Sequence, residues 1–384
     1  MGRRRPTSHR PQGAAPGVVV IGDGWFPDRP GGLNRYVASL CHAFQALGVE
    51  QRVLVLGPCR EDPVEGLVDV ARVEDPLPLR LLALFRVLRR VVRTGDVVVA
   101  HFALNALPAL WSRRSSGLVF HFHGPWAAES AVEGASPVVV SAKKRIERLV
   151  FRRAEAFVVL SRSFASVLEE EYGVEASRIR VVPPGVDHER FVAGPDAAVQ
   201  DYAVCVRRLV PRMGLDVLLQ AWARSGVRTK LVLVGDGPER PRLEQLAAEL
   251  GLGAVVEFRG RVSDSALASL YRGARFSVVP SVALEGFGLV ALESLASGVP
   301  VLGSDLGGLG EVIGDFSPEL IVRPGDPVAL AARLRDVASG RIPLPSRASC
   351  TSFAQRYTWE ATAATCLEVY RDAGRQRPAP DGPE

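Results

Sequence analysis

The residues best placed to do chemistry are two glutamates in the segment Glu285-Gly286-Phe287-Gly288-Leu289-Val290-Ala291-Leu292-Glu293. It follows a β-branched apolar run ending at Pro280 and leads into an apolar stretch of helical period. A carboxylate just ahead of a glycine-rich helix start lies beside main-chain N–H groups and the positive end of the helix. The amides of such a turn can hold a diphosphate while the acid accepts hydrogen bonds from sugar hydroxyls nearby. Glu293, about two turns up the helix, can reach the hydroxyls of a ribose. Spacing alone favours two unrelated surface glutamates flanking a glycine turn, so the segment needs support from the rest of the chain.

Other glycine clusters test a dinucleotide-dependent oxidoreductase. Gly22-Asp23-Gly24 follows a strand-like run, but the third glycine position is Pro27; after Gly235-Asp236-Gly237 it is Arg240. Neither completes G-x-G-x-x-G. The chain also has no Walker A sequence and no G-x-S-x-G elbow. Its five cysteines form no C-x-x-C pair, which argues against a zinc site or a disulfide framework and for a reducing, cytoplasmic location.

These side chains need elements to position them, and the sequence alternates short β-branched runs with helix-period segments. Strands are expected at Val18–Ile21, Arg52–Leu56, Val97–His101, Leu118–Phe122, Ala156–Leu160 and Ile179–Val182. A second series follows at Tyr202–Val206, Lys230–Val234, Val255–Phe258, Phe276–Val279 and Pro300–Leu302. Helices are expected at Asn34–Leu47, Leu79–Val92, Ala142–Arg153 and Ser163–Tyr172, then at Leu215–Arg224, Glu239–Leu250, Asp264–Tyr271, Leu289–Ser297, Pro327–Ala338 and Trp359–Ala373. Such alternation implies right-handed βαβ crossovers and parallel sheets covered on both faces. The rhythm breaks at Pro183–Asp201, where Pro-Pro-Gly and a polar stretch intervene. The fold class is therefore α/β, with two Rossmann-like domains facing each other across a cleft. The expected divisions are an acceptor-side domain at 18–190, a second domain at 191–356, and a C-terminal helix at 357–375 packing back toward the first. The 384 residues fit two or three domains at roughly 150 residues each. Residues 1–17 and 376–384 read as disordered tails, and the first lacks the apolar stretch of a signal peptide.

Composition is that of an ordinary globular chain, 47% hydrophobic and 23% charged. Apolar runs stay strand-sized, well short of the roughly 18 residues of a membrane span. The net charge of +5 is uneven: residues 1–195 hold 26 Lys+Arg against 20 Asp+Glu, and the remainder 21 against 22. No Lys/Arg stripe interleaved with aromatics appears, so a nucleic-acid partner is not expected.

With the glycine turns and strand ends placed, the chain resembles the retaining nucleotide-sugar glycosyltransferases of family four, which have the GT-B fold. The E-x7-E segment resembles that family's sugar-donor motif. Gly31-Gly32-Leu33-Asn34-Arg35-Tyr36 looks like its N-terminal glycine loop, Phe122-His123-Gly124 like its histidine-bearing strand end, and Val182-Pro183-Pro184-Gly185-Val186-Asp187 like its interdomain connector. Gly298-Val299-Pro300-Val301 and Gly307-Gly308-Leu309-Gly310-Glu311 resemble the strand and loop that follow the motif. The resemblance runs in order from Val18 to Tyr370. It implies transfer of a hexosyl group from an NDP-sugar, UDP- or GDP-linked, to an acceptor hydroxyl. The nucleotide sugar is then a co-substrate and no cofactor is required. A metal is not expected either, because the sequence has no D-x-D pair.

The same resemblance distributes roles. Glu285 would bind the sugar's hydroxyls and Glu293 the ribose, with Gly286, Phe287, Gly288 and Leu289 forming the turn between them. Gly31 and Gly32 would offer amides to the phosphates, and Arg208 would neutralise the departing diphosphate. The backbone at Val262 would face the base, and His123 would orient the sugar; His101 and His121 read as sheet-end or core residues. One departure stands out. Where the family has a lysine before the glycine of the second-domain loop, this chain has Met213. A thioether cannot neutralise phosphate, so Arg207 or Arg212 would supply that charge.

The acceptor side is less defined. Trp126 and Trp25 could each stack a sugar ring. The arginines of Leu79–Arg93 and the basic residues of Ala142–Arg153 could dock on anionic membrane, which would suit a lipid-linked acceptor at its inner face, or be a solvated helix face. A small molecule or glycan intermediate is the leading acceptor. A non-catalytic sugar- or nucleotide-binding protein is the reading from another class.

Overall fold

The alternating apolar runs form two parallel sheets in the computed structural model, which describes residues 17–112, 115–193 and 200–376. Apart from Gly17 and Gln376, the expected tails lie outside the described residues. The first sheet comprises β1 (Val18–Gly24), β2 (Gln51–Gly57), β3 (Leu67–Arg72), β4 (Val97–Ala100), β5 (Gly117–Phe122), β6 (Ala156–Val159) and β7 (Ile179–Val181). Their order is β3-β2-β1-β4-β5-β6-β7. The second comprises β8 (Tyr202–Val206), β9 (Lys230–Val234), β10 (Val256–Gly260), β11 (Phe276–Val279), β12 (Val301–Ser304) and β13 (Ile321–Val322), ordered β10-β9-β8-β11-β12-β13.

Central strands are apolar on both faces because helices cover both. Val18 and Val20 enter one core cluster while Val19 and Ile21 enter the other, as the twofold alternation of a strand requires. Strand order reverses between β1 and β4 and again between β8 and β11. In open α/β sheets the crevice beyond the carboxyl ends at such a reversal is where ligands bind. The segments leaving β1, β4, β5, β8 and β11 carry the glycine loop, His101, His123, Arg207 and Glu285 respectively.

Several elements differ from the sequence expectation, each for a physical reason. The edge strand β3 is only half-buried and β13 is two residues long, so neither leaves a clear apolar run. Gly307–Phe316, read as a loop, is a helix. Its glycines have poor propensity, but Leu309, Val312 and Ile313 bury one face and tertiary packing prevails. Trp126–Val132 and Arg347–Ala354 are also helices. The basic helix begins at Pro137 rather than Ala142; proline suits a first helical turn, whereas Val138–Val140 looks strand-like in isolation.

The last helix, Trp359–Gln376, lies against β4, β5 and β6 of the first sheet. A Cβ on Gly117 would stand 3.1 Å from the Ala373 carbonyl, so the helix and β5 approach at glycine distance. The connector is tied to the same helix, the Thr362 hydroxyl donating to the Pro183 carbonyl at 2.8 Å. The chain thus crosses from first sheet to second and returns.

Candidate active site

Glu285 sits in the loop between β11 and the helix Leu289–Ala296. Its side chain is almost wholly buried. Oε2 accepts a hydrogen bond from the Ser281 hydroxyl at 2.7 Å and another from the Arg207 guanidinium. Burial alone would raise this carboxyl, but Arg207, Ser281 and the nearby Arg212 outweigh it and hold it below the usual range. The residue before it, Leu284, has φ of +53°, a left-handed conformation unusual for a leucine. Its carbonyl accepts from Arg212 Nη1 at 3.2 Å. On the other side Gly308 N–H donates to the Glu285 carbonyl at 3.2 Å. The backbone around the first acid is therefore held at both ends.

Glu293 lies inside the next helix and is also buried. Burial raises its carboxyl to about 7, against the opposing pull of Arg35. Arg35 Nη1 is 3.8 Å away, and the same guanidinium makes a 2.7 Å bond to Asp264. Arg35 belongs to the helix that starts at Gly32, so the first half reaches the second at this point.

Among the described residues, three helices begin behind glycine N-caps with no side-chain cap: Gly32–Ala46 behind Gly31, Leu215–Ser225 behind Gly214 and Leu289–Ala296 behind Gly288. Four other helices are capped by a side-chain oxygen, from Ser161, Ser263, Asp326 and Ser346. A side-chain oxygen satisfies the first-turn amides; glycine leaves them to another acceptor. A Cβ added at Gly31 or Gly32 would meet nothing within 4 Å. The requirement there is therefore open space and backbone shape, φ at Gly31 being +151°.

The three arginines differ sharply. Arg207 is buried and committed to Glu285 and Ser281. Arg208 is 61% exposed, with Glu133 4.0 Å away. Arg212 is mostly buried, 3.4 Å from Glu129. Arg207 and Arg212 each already face a carboxylate, Glu285 and Glu129, and both lie near Met213, itself in the core. Val262 is half-buried in the turn after β10. Phe287 is buried edge-on against Tyr357, and Leu289 opens the helix half-buried. Gly286 lies under the first domain, where a Cβ would meet the Phe164 ring at 2.8 Å and the His123 carbonyl at 3.4 Å. Strand end and acidic loop are thus in register across the cleft.

His123 Nε2 lies 3.0 Å from His101 Nδ1. Burial lowers the His123 ring to about 3, so it is neutral. His121 Nε2 is 2.6 Å from the Tyr370 hydroxyl and its Nδ1 3.3 Å from that of Tyr36. One nitrogen from each of these histidines falls within 4.8 Å of the others. A metal would need one of these nitrogens from each, but both of His121's face tyrosine hydroxyls.

Trp25 requires a correction. It is fully buried, its indole N–H aimed at the Glu61 and Asp62 carbonyls, so it packs the core and cannot stack on an acceptor. Trp126 is half-buried, edge-on to Phe102 with Lys143 over its ring at 4.6 Å. Sequence reasoning passed over Glu129, Arg35 and Asp264. Glu129 stands in the first turn of Trp126–Val132, and the helix-compatible run after Pro125 is the signal that could have found it.

Structural comparison supports the architecture. A sucrose-phosphate synthase from Thermosynechococcus elongatus superposes with a TM-score of 0.77 at 23% identity, over 93% of this chain and 98% of that one. The Anabaena protein HepE, in complex with UDP and glucose, gives 0.75 at 19% identity over 91% and 98%. Two Rossmann-like domains closing on one cleft define a GT-B fold. The sequence supplies the family. Residues 30–190 match the model described as Glycosyltransferase Family 4, and residues 193–357 that described as Glycosyl transferases group 1. The D-inositol 3-phosphate glycosyltransferase of Geodermatophilus obscurus is 31% identical over 98% of this chain and 93% of its own. That of Acidothermus cellulolyticus is 30% identical over 90% and 87%. The chain belongs to glycosyltransferase family 4 and is a glycosyltransferase.

Proposed function

We propose that the enzyme moves a hexosyl group from a nucleotide-sugar to an acceptor hydroxyl with retention of configuration and without a metal. The observation that carries this reading is the pair of buried acids, Glu285 and Glu293, flanking a glycine-capped helix start opposite His123. Glu285, held ionised by Arg207, accepts from the sugar's hydroxyls; Glu293 accepts from the ribose. Arg212, Arg208 and the amides behind Gly31 and Gly288 meet the diphosphate. Sugar transfer passes through an oxocarbenium-like state while negative charge grows on the leaving group. The bond from the anomeric carbon to the phosphate oxygen breaks, the acceptor oxygen bonds on the same face, and its proton passes to the departing phosphate. Metal independence rests on the missing D-x-D pair.

The relatives' names make an inositol phosphate the first acceptor to try. The test is a panel of UDP-, GDP- and dNDP-sugars with that acceptor, reading nucleotide release and the product's anomeric configuration. Inversion, or activity surviving Glu285→Ala, would sink the reading. A membrane-bound acceptor is favoured by one further observation. Leu79, Leu82, Trp111, Val138 and Val139 are exposed on neighbouring elements that also carry Arg80, Arg86, Lys144 and Arg145. Co-sedimentation with anionic liposomes tests it, and no binding at low salt removes it.

A further inference from the structure

We propose that His101 is a positioning residue that fixes His123 as its neutral Nδ1–H tautomer, so that His123 offers the cleft a hydrogen-bond donor. The inference rests on the proposed function for the cleft but reads the two rings directly. His101 follows β4 and His123 follows β5, adjacent parallel strands. Their rings lie 5.3 Å apart at 25°, with Nδ1 of the first 3.0 Å from Nε2 of the second. At that distance one nitrogen donates and the other accepts.

The direction follows from a stranded atom. His101 Nε2 is buried without a hydrogen-bond partner. A proton on it would orphan a buried N–H; a proton on Nδ1 would leave only a lone pair unpaired, the less costly arrangement. His101 therefore donates through Nδ1, and His123 Nε2 accepts. A neutral imidazole carries a single proton, so that of His123 is on Nδ1. No other hydrogen bond to His123 is present among the described residues. Burial keeps both rings neutral, and His121 is occupied by Tyr36 and Tyr370. His123 thus cannot act as a base through Nε2; it can donate to a sugar hydroxyl or to charge growing on the leaving group.

The test begins without substrate. In protein labelled with 15N-histidine, long-range 1H–15N spectra at neutral pH are expected to show His123 protonated on Nδ1 and bare on Nε2. In His101→Phe the ring should shift toward the Nε2–H form, while His101→Asn, whose amide can still donate, should retain the wild-type pattern. In turnover, His101→Phe should lower kcat about tenfold with KM within about twofold, and His101→Asn should restore most of it. His123→Asn, which places an amide near Nδ1, should likewise exceed His123→Gln. Protonated Nε2 in the wild type, equal losses in the two His101 variants, or joint ligation of both rings by added Zn2+ would overturn the proposal. If no nucleotide sugar is turned over, the spectra still decide it, and the transferase reading alone fails.

Discussion

Arg207 and Arg208 are neighbours in sequence and opposites in environment. Arg207 turns inward to a buried carboxylate, and Arg208 outward to solvent. Side chains leaving a strand alternate faces, so a shift of one residue exchanges the roles. Two adjacent arginines cannot be ranked from sequence for that reason. Removing the inward one strands Glu285: Arg207→Met should cost about 3–5 kcal/mol in chemical denaturation, whereas Arg208→Met should leave stability nearly unchanged. Equal effects would show that the buried pair is not formed. Glu293 makes a second prediction. With its carboxyl near 7, the protein without sugar donor holds it protonated below that pH, and a protonated acid is a poorer acceptor for ribose hydroxyls. Affinity for an NDP-sugar should fall as pH drops from 8 to 6, approaching tenfold per unit at the acid end. Glu293→Gln should flatten the dependence, as titration calorimetry across that range would show.

At the level of elements, the acidic loop is shaped by the helix Gly307–Phe316, whose start leaves no room for side chains. A Cβ on Gly308 would stand 2.3 Å from the Gly286 carbonyl, and one on Gly307 1.9 Å from that of Glu285. Gly308→Ala should therefore push the loop off its helix, costing about 1–3 kcal/mol in stability and most of the activity. Thermal melts and turnover check both, and an active, equally stable variant would contradict the contact. The strands around this loop were legible because parallel strands covered on both faces are continuous β-branched runs. The E-x7-E segment was legible because its chemistry is local in sequence. Glu129 and the Arg35–Asp264 pair were not: the latter joins residues 229 apart, and nothing in the spacing of either partner reports the other. Trp25 misled because an aromatic beside a glycine loop looks the same in sequence whether it faces a ligand or the core.

Over the whole molecule, the two halves are joined by the site's own residues. Glu311 of the second caps the helix Arg162–Tyr172 of the first, accepting from Ser163 N–H at 2.8 Å. Asp264 of the second accepts from Arg35 of the first and from Arg190 of the connector. His121 ties the first sheet to the returning C-terminal helix through Tyr370, 249 residues away. That tie titrates. His121 is fully buried, and burial together with nearby His123 holds its ring well below 6.5. A depressed histidine means that below 6.5 the unfolded chain takes up a proton the folded protein refuses. This contribution to stability is complete above 6.5 and is lost as pH falls toward the folded value. Buried acids raised by the fold act in the opposite sense, so the test is a difference. His121→Phe should be less stable than the wild type at pH 7.5, because it abandons the Tyr36 and Tyr370 hydroxyls. Its stability should nevertheless decline less steeply between pH 6.5 and 5, by up to about 1.4 kcal/mol per pH unit. Parallel denaturation curves over that window would mean that the histidine is protonated in the folded protein and that the hydroxyl pair does not keep it neutral.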